Sequence, residues 1–246
     1  MPNNFANSIN SSIGASNSGA TNTLTVTNPS NTASSQALLN LTVGGASSGD
    51  AFTTYTVAGT TNWSQGVDNS ASDAFVISAS TALGTTNVLS SSTAGEIIMP
   101  LQPAFLAYLS AVVNNVTGDN TTYLIVFDSE IFDQNSDFDT STGIFTAPIT
   151  GRYQFSYVLG LAQVAVANTD LLIQLQTSNL TNLQTTRVNP ATLFISGGTF
   201  FSGSLLLDMD AADVAKLFVT VAGGTKIVDV NGSATAGSWF SGFLAC

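Results

Sequence analysis

Phe127–Tyr157 reads FDSEIFDQNSDFDTSTGIFTAPITGRYQFSY, and the fold is decided on this stretch. Aromatic side chains stand at Phe127, Phe138, Phe145, Tyr153, Phe155 and Tyr157, with Asp133 in the first gap and Gly151 in the last. Tyr153, Phe155 and Tyr157 alternate strictly, which is the period of a strand with one buried face. Pro148 presets a backbone angle and Gly151 accepts unusual ones, so the two bracket a turn ahead of that strand. Physical reasoning alone predicts two strands and a tight connection feeding an aromatic core.

The spacing carries more. Phe, five residues, Asp, four residues, Phe, six residues, Phe, five residues, then Gly-x-Tyr-x-Phe-x-Tyr resembles the signature of one family. That family is the globular head of the first complement component (complement-one-q), a branch of the tumour-necrosis-factor-like jelly rolls. Ala104-Phe-Leu-Ala-Tyr-Leu-Ser110 is similar to its opening strand. Gly203–Leu207 and Asp213–Val219 resemble its penultimate strands, and Ser238-Trp-Phe-Ser-Gly-Phe-Leu244 its ending. The resemblance runs from about residue 103 to the end of the chain. It implies a two-sheet antiparallel sandwich that assembles as a homotrimer. It also places Phe127, Phe138, Phe145, Gly151, Tyr153, Phe155, Tyr157, Phe240, Gly242 and Phe243 in the core or at the trimer contact. Asp133 is then a turn residue. Function does not follow from such a fold, because one fold hosts many functions.

The chain ahead of this region also reads as β structure. Leu24 and Val26 alternate with Thr, as do Leu39, Leu41 and Val43 with polar residues, and Pro29-Ser30-Asn31, Gly44-Gly45 and Gly49-Asp50 are turn signals. Gly49, Asp50, Trp63, Gly66, Asp68, Asn69, Asp73, Phe75, Ile77, Leu83 and Gly84 follow in an order that resembles segments of bacterial-virus tail fibres. That resemblance covers about forty residues and implies a trimeric shaft or knob without catalytic duty. The predicted organisation is an attachment tail over 1–22, a β-rich fibre or shaft domain over 23–100, and a jelly-roll head over 101–246. Pro100-Leu-Gln-Pro103 makes a short, stiff boundary. In the tail, Phe5, Ile9 and Ile13 fall four apart, as on one face of a short helix or an anchoring segment. The fold class is all-β throughout.

Composition narrows the partners. The net charge of −11 sets 15 acids against Arg152, Arg187, Lys216 and Lys226. Four scattered cations cannot neutralise a run of phosphates, so nucleic acid and anionic membrane surfaces are excluded as partners. The apolar run Ile97–Val113 is broken by Pro100, Gln102, Pro103 and Ser110, so no membrane insertion is predicted. Cys246 is the only cysteine, and packing or oligomerisation replaces disulfides. The start, MPNNFANSINSSIG, lacks the basic and apolar regions of a secretory signal. Either an export signal has been removed or the chain leaves its cell by another route, such as inside a virus particle, and Met1 favours the second; the low-charge, Thr- and Asn-rich composition suits an extracellular or virion-surface location.

Catalytic constellations are scarce. With no histidine in the chain, Ser-His-Asp and Cys-His triads and His-based metal sites are ruled out. Asp133, Asn135, Asp137 and Asp139 fall at alternate positions and superficially suggest a calcium loop. Phe138 stands where such a loop needs glycine and Ile144 where it needs a bidentate Glu. Asp208, Asp210 and Asp213 form a second acidic cluster between two predicted strands. Both clusters read more simply as solvated turns, so calcium is the one cofactor left open. Glycoside hydrolysis would use two carboxylates, and no pair is marked above the rest. Trp63 and Trp239 can stack on sugars, or serve as core or subunit-interface packing.

The reading that results is a non-enzymatic homotrimeric fibre or spike subunit of a virus particle. Its partners are its own copies, a virion or appendage base held through residues 1–22, and a host-surface protein or glycan met multivalently by the head. The alternatives are a purely structural subunit of an extracellular appendage or filament, and a bacterial surface adhesin or polysaccharide-degrading fibre.

Overall fold

The computed structural model describes residues 23–181, 183–192, 198–235 and 237–246. The predicted attachment tail, with Phe5, Ile9 and Ile13, lies outside the described residues. Residues 23–50 form no strand, which corrects the strands expected at Leu24–Val26 and Leu39–Val43. Their apolar–polar alternation is real, but a strand is a hydrogen-bonded ladder, and this segment finds no partner in its own chain.

The next five strands make an antiparallel meander in the order β1 (Ala51–Tyr55), β2 (Trp63–Asp68), β3 (Ala74–Ser78), β4 (Asn87–Ser91) and β5 (Ile97–Ile98). Its turns explain much of the fixed Asp, Asn and Gly pattern. The Asp68 carboxylate accepts hydrogen bonds from the backbone amides of Ser70 (3.0 Å) and Ala71 (3.1 Å), capping a single 3-10 turn. Asn69 donates its backbone N–H to Asp50 Oδ1 (2.9 Å) and its side-chain amide to the carbonyl of Ser48 (2.9 Å). Gly84, at φ +83°, brings its loop against Asp68; a Cβ there would lie 2.3 Å from Asp68 Oδ2. Only Ala74, Val76 and Leu83 form a buried apolar cluster in this unit.

The remaining strands are β6 (Ala104–Tyr108), β7 (Val113–Thr117), β8 (Thr122–Leu124), β9 (Ser129–Asp133), β10 (Phe138–Asp139) and β11 (Ile144–Thr146). They continue as β12 (Gly151–Ala162), β13 (Asp170–Thr177), β14 (Leu183–Val188), β15 (Thr199–Met209), β16 (Val214–Ala222), β17 (Val228–Val230) and β18 (Trp239–Leu244). All pairings are antiparallel. One sheet runs β7-β17-β12-β18-β6-β9 with β15 also on β12, and the other runs β10-β11-β16-β13-β14 with β8 on β16. This is the jelly-roll sandwich expected from the signature.

The core between the sheets is aromatic because alternate residues of the long strands point the same way. Tyr153, Phe155 and Tyr157 of β12 are all buried, as are Phe127, Phe138, Phe145 and Phe240. The Phe105 ring stacks on Phe138 at 4.7 Å and on Phe145 at 5.1 Å, and Phe155 stacks on Phe240 at 5.7 Å. Gly242 sits in register between Phe155 and Phe105, whose rings lie over it. The hydroxyls of the two buried tyrosines are satisfied: Tyr153 donates to the carbonyl of Ile149 (2.8 Å), and Tyr157 shares a hydrogen bond with Thr185 (2.6 Å). Thr117 of one sheet accepts from the backbone N–H of Val221 of the other (2.9 Å) and donates to Thr121 (2.6 Å), joining the two sheets.

Candidate functional site

The acidic loop is assembled from backbone contacts. Asp133, at the end of β9, accepts from the amides of Asp137 (3.1 Å) and Phe138 (2.9 Å), one on each carboxylate oxygen. That commits its charge to holding the turn into β10. Asp137 is the odd group: its Oδ2 is shielded from solvent with no hydrogen-bond partner. Burial, and then the neighbouring Asp133 charge, push its carboxyl above the usual range. Asp139 faces a different environment, accepting from both the amide (2.8 Å) and hydroxyl (2.6 Å) of Ser141. The Ser141 hydroxyl in particular holds it below the usual range.

In the second cluster, Asp213 accepts from the Asn179 amide (2.6 Å) and the Asp210 backbone N–H (2.9 Å). Asp208 lies on β15 opposite Arg152 of β12. Among the described residues, no three His, Cys, Asp or Glu side chains converge as a metal site would require. The structure thus brings Asp133 to Asp137 and Asp210 to Asp213 as turn pairs. Glu96 is exposed and accepts from the Ser92 hydroxyl, which lowers its pKa.

The feature without a partner is the outer face of the sheet that carries β12. Register places Phe132 of β9, Leu106 and Tyr108 of β6, and Trp239 and Phe243 of β18 on this side. Leu206 of β15 joins them opposite Gln154 of β12. Phe132, Leu206 and Phe243 are each about half exposed, at 48%, 53% and 49%. Leu106, Phe132, Trp239 and Phe243 line an open hollow of 620 Å³. The other half of the face carries small polar residues, with Phe200 exposed beyond them opposite Gly160. Ser156 and Ser204 lie 3.1 Å apart, and Gln154 donates to Ser204 at 2.6 Å. Such a face can bind by burying apolar area and pairing hydroxyls.

Gly242 and Phe240 lie toward the core, and Phe243, expected at the core or at a trimer contact, lies on the outer face, clear of the core. Leu106, Phe132 and Leu206 were not singled out by sequence reasoning. Their only signal was apolar character at positions in register with Phe243 and Gln154, visible once the strands are paired.

A family model described as the C1q domain matches residues 104–245. The chain belongs to the C1q domain family. Domains of this kind typically form homotrimers that bind multivalently, and the proteins that carry them are usually extracellular. The chain is also similar to the globular domain of zebrafish complement 1qA protein, at 21% identity and a TM-score of 0.41, over 58% of this chain and 98% of that one. Similarity to a crystal structure of murine APRIL at pH 8.0 has 8% identity and a TM-score of 0.41, with the same coverage. No curated protein matches the chain. Among the described residues, no helix is long and apolar enough to cross a membrane.

Proposed function

We propose that the chain is a non-enzymatic, homotrimeric binding subunit in which the outer face of β9, β6, β18, β12 and β15 packs against two further copies. The observation that carries this reading is the half-exposed set Phe132, Leu206 and Phe243 on a sheet that is otherwise complete. A soluble single chain rarely leaves a contiguous apolar patch uncovered. Burying it against copies leaves the loops at the ends of the sandwich free to meet a surface protein or glycan. Three weak contacts on one rigid body then gain avidity.

The setting is a fibre or spike, on a virus particle, with the head carried outward by the region before it. Support for this comes from the ordered Gly49–Gly84 pattern and its likeness to tail-fibre segments. The non-enzymatic character is supported by the histidine-free chain, which can hold no Ser-His-Asp or Cys-His triad. Light scattering on the full chain at micromolar concentration should give three chain masses; a single chain mass overturns the reading. Electron micrographs should show discrete elongated particles, and end-to-end filaments would count against a spike.

A further inference from the structure

The five-stranded sheet β1–β5 has two unequal faces. One carries Ser64, Gly66, Asp68, Val76 and Ser78, all buried. The other, set by the β1–β2–β3–β4 register, carries Tyr55, Trp63, Val67, Phe75 and Ile77, joined by Ile97 of β5. Tyr55, Trp63, Phe75 and Ile97 are 53%, 41%, 44% and 62% exposed. We propose that this second face is an interface between copies of this chain, so that copies meet along the sheet as well as along the head. The proposal rests on the trimer reading above and extends it to a surface that reading does not need.

Three observations point to a copy as the occupant. The first is energetic. With Ala74, Val76 and Leu83 as its buried apolar cluster, the unit lacks the core that a small sheet needs to stand alone. Leu39 and Leu41, ahead of β1, border one hollow with Val67 and Phe75 but leave Tyr55, Trp63 and Phe75 about half exposed, so the remaining apolar contact has to come from outside the unit.

The second is charge. A chain of net charge −11 repels its own copies over most of its surface. Every strand residue that the register places on this face is uncharged, from Ala51, Thr53 and Gln65 to Leu89 and Ser91. Identical acidic chains can meet there without bringing carboxylates together.

The third is continuity with the head. Ile97, Ile98, Met99 and Leu101 are exposed and lead directly from β5 toward β6. Gln134 donates to the carbonyls of Met99 (2.7 Å) and Gln102 (2.8 Å), and Asn135 donates to that of Leu101 (2.8 Å). Both donors follow straight after β9, whose Phe132 lines the hollow on the head's outer face. The apolar linker is therefore fastened beside the surface at which copies of the head would meet. Head assembly would then hold the three sheets at high local concentration and let them complete one another's cores.

The test uses the full chain with Cys246→Ser as background. Phe75→Cys reports on the sheet face and Phe243→Cys on the head, each treated with a short bismaleimide and read on a denaturing gel. Val67→Cys, on the neighbouring strand, replaces Phe75→Cys if that variant does not fold. Covalent pairs at both the sheet and the head position are expected. Pairs at Phe243→Cys with none at Phe75→Cys and Val67→Cys overturn the inference and leave the head assembly standing. No pairs at any of the three overturn the inference and the trimer reading together.

Discussion

Gly242→Ala is a severe substitution for so small a change. The added Cβ would lie 2.6 Å from Phe155 Cδ1 and 2.7 Å from Phe105 Cε1, where ordinary contact begins at 3.4 Å. One ring or both must retreat by the difference, about 0.8 Å at the tighter contact. Neither has room: Phe155 is 5.5 Å from Phe145 and 5.7 Å from Phe240, and Phe105 is stacked on two further rings. Overpacking of a filled core costs about 1–3 kcal/mol. At this chain length that lowers the melting temperature by roughly 2–4 °C per kcal/mol. Thermal melts at one fixed protein concentration measure it, since assembly makes the midpoint concentration-dependent. Phe155→Leu should relieve part of the clash, so the double variant should be more stable than the sum of the single effects predicts. A Gly242→Ala loss under about 0.5 kcal/mol, or strict additivity with Phe155→Leu, would refute the packing argument.

Thr117→Val removes the acceptor for the Val221 N–H and should cost about 1–3 kcal/mol by urea unfolding, because a buried amide is left unpaired. Asp68→Ala uncaps the turn after β2 at a cost of about 1–2 kcal/mol. Faster amide exchange confined to β1–β5, with the head unchanged, is the expected readout. Asp137→Asn tests a pH dependence of opposite sign to that of most carboxylates. The native carboxyl is raised by burial, so its ionised form penalises the fold at neutral pH, and the penalty lifts as pH falls through the native value. The variant should therefore be more stable than the parent at neutral pH, with the difference vanishing below the ordinary carboxylate range. A difference that persists at low pH contradicts the assignment.

How much of this was legible depended on whether a residue's role is local or paired. The alternation of Tyr153, Phe155 and Tyr157 announces β12 and its inner face, because side chains on a strand alternate whatever it pairs with. The fixed Asp133 and Gly242 were visible as pattern, but their causes were not. Two backbone amides meet Asp133, and two rings from neighbouring strands cover Gly242. The reverse failure appears at Leu39–Val43, where a strand-like alternation has no ladder to join. LQTTRV of β14 has little apolar alternation to announce a strand. Phe132, Leu206 and Phe243 look like core residues in one dimension. Only the register shows that they sit on the outer side of a finished sheet.

The central claim is that this outer face is where copies of the chain meet. Sedimentation equilibrium of the full chain beside Phe243→Glu tests it most directly. Phe243 is outside the core, so the variant keeps the jelly roll while placing a charge on the apolar face. The account predicts three chain masses for the parent and one for a folded Phe243→Glu variant. A monomeric parent, or a variant that sediments with three chain masses, would contradict it.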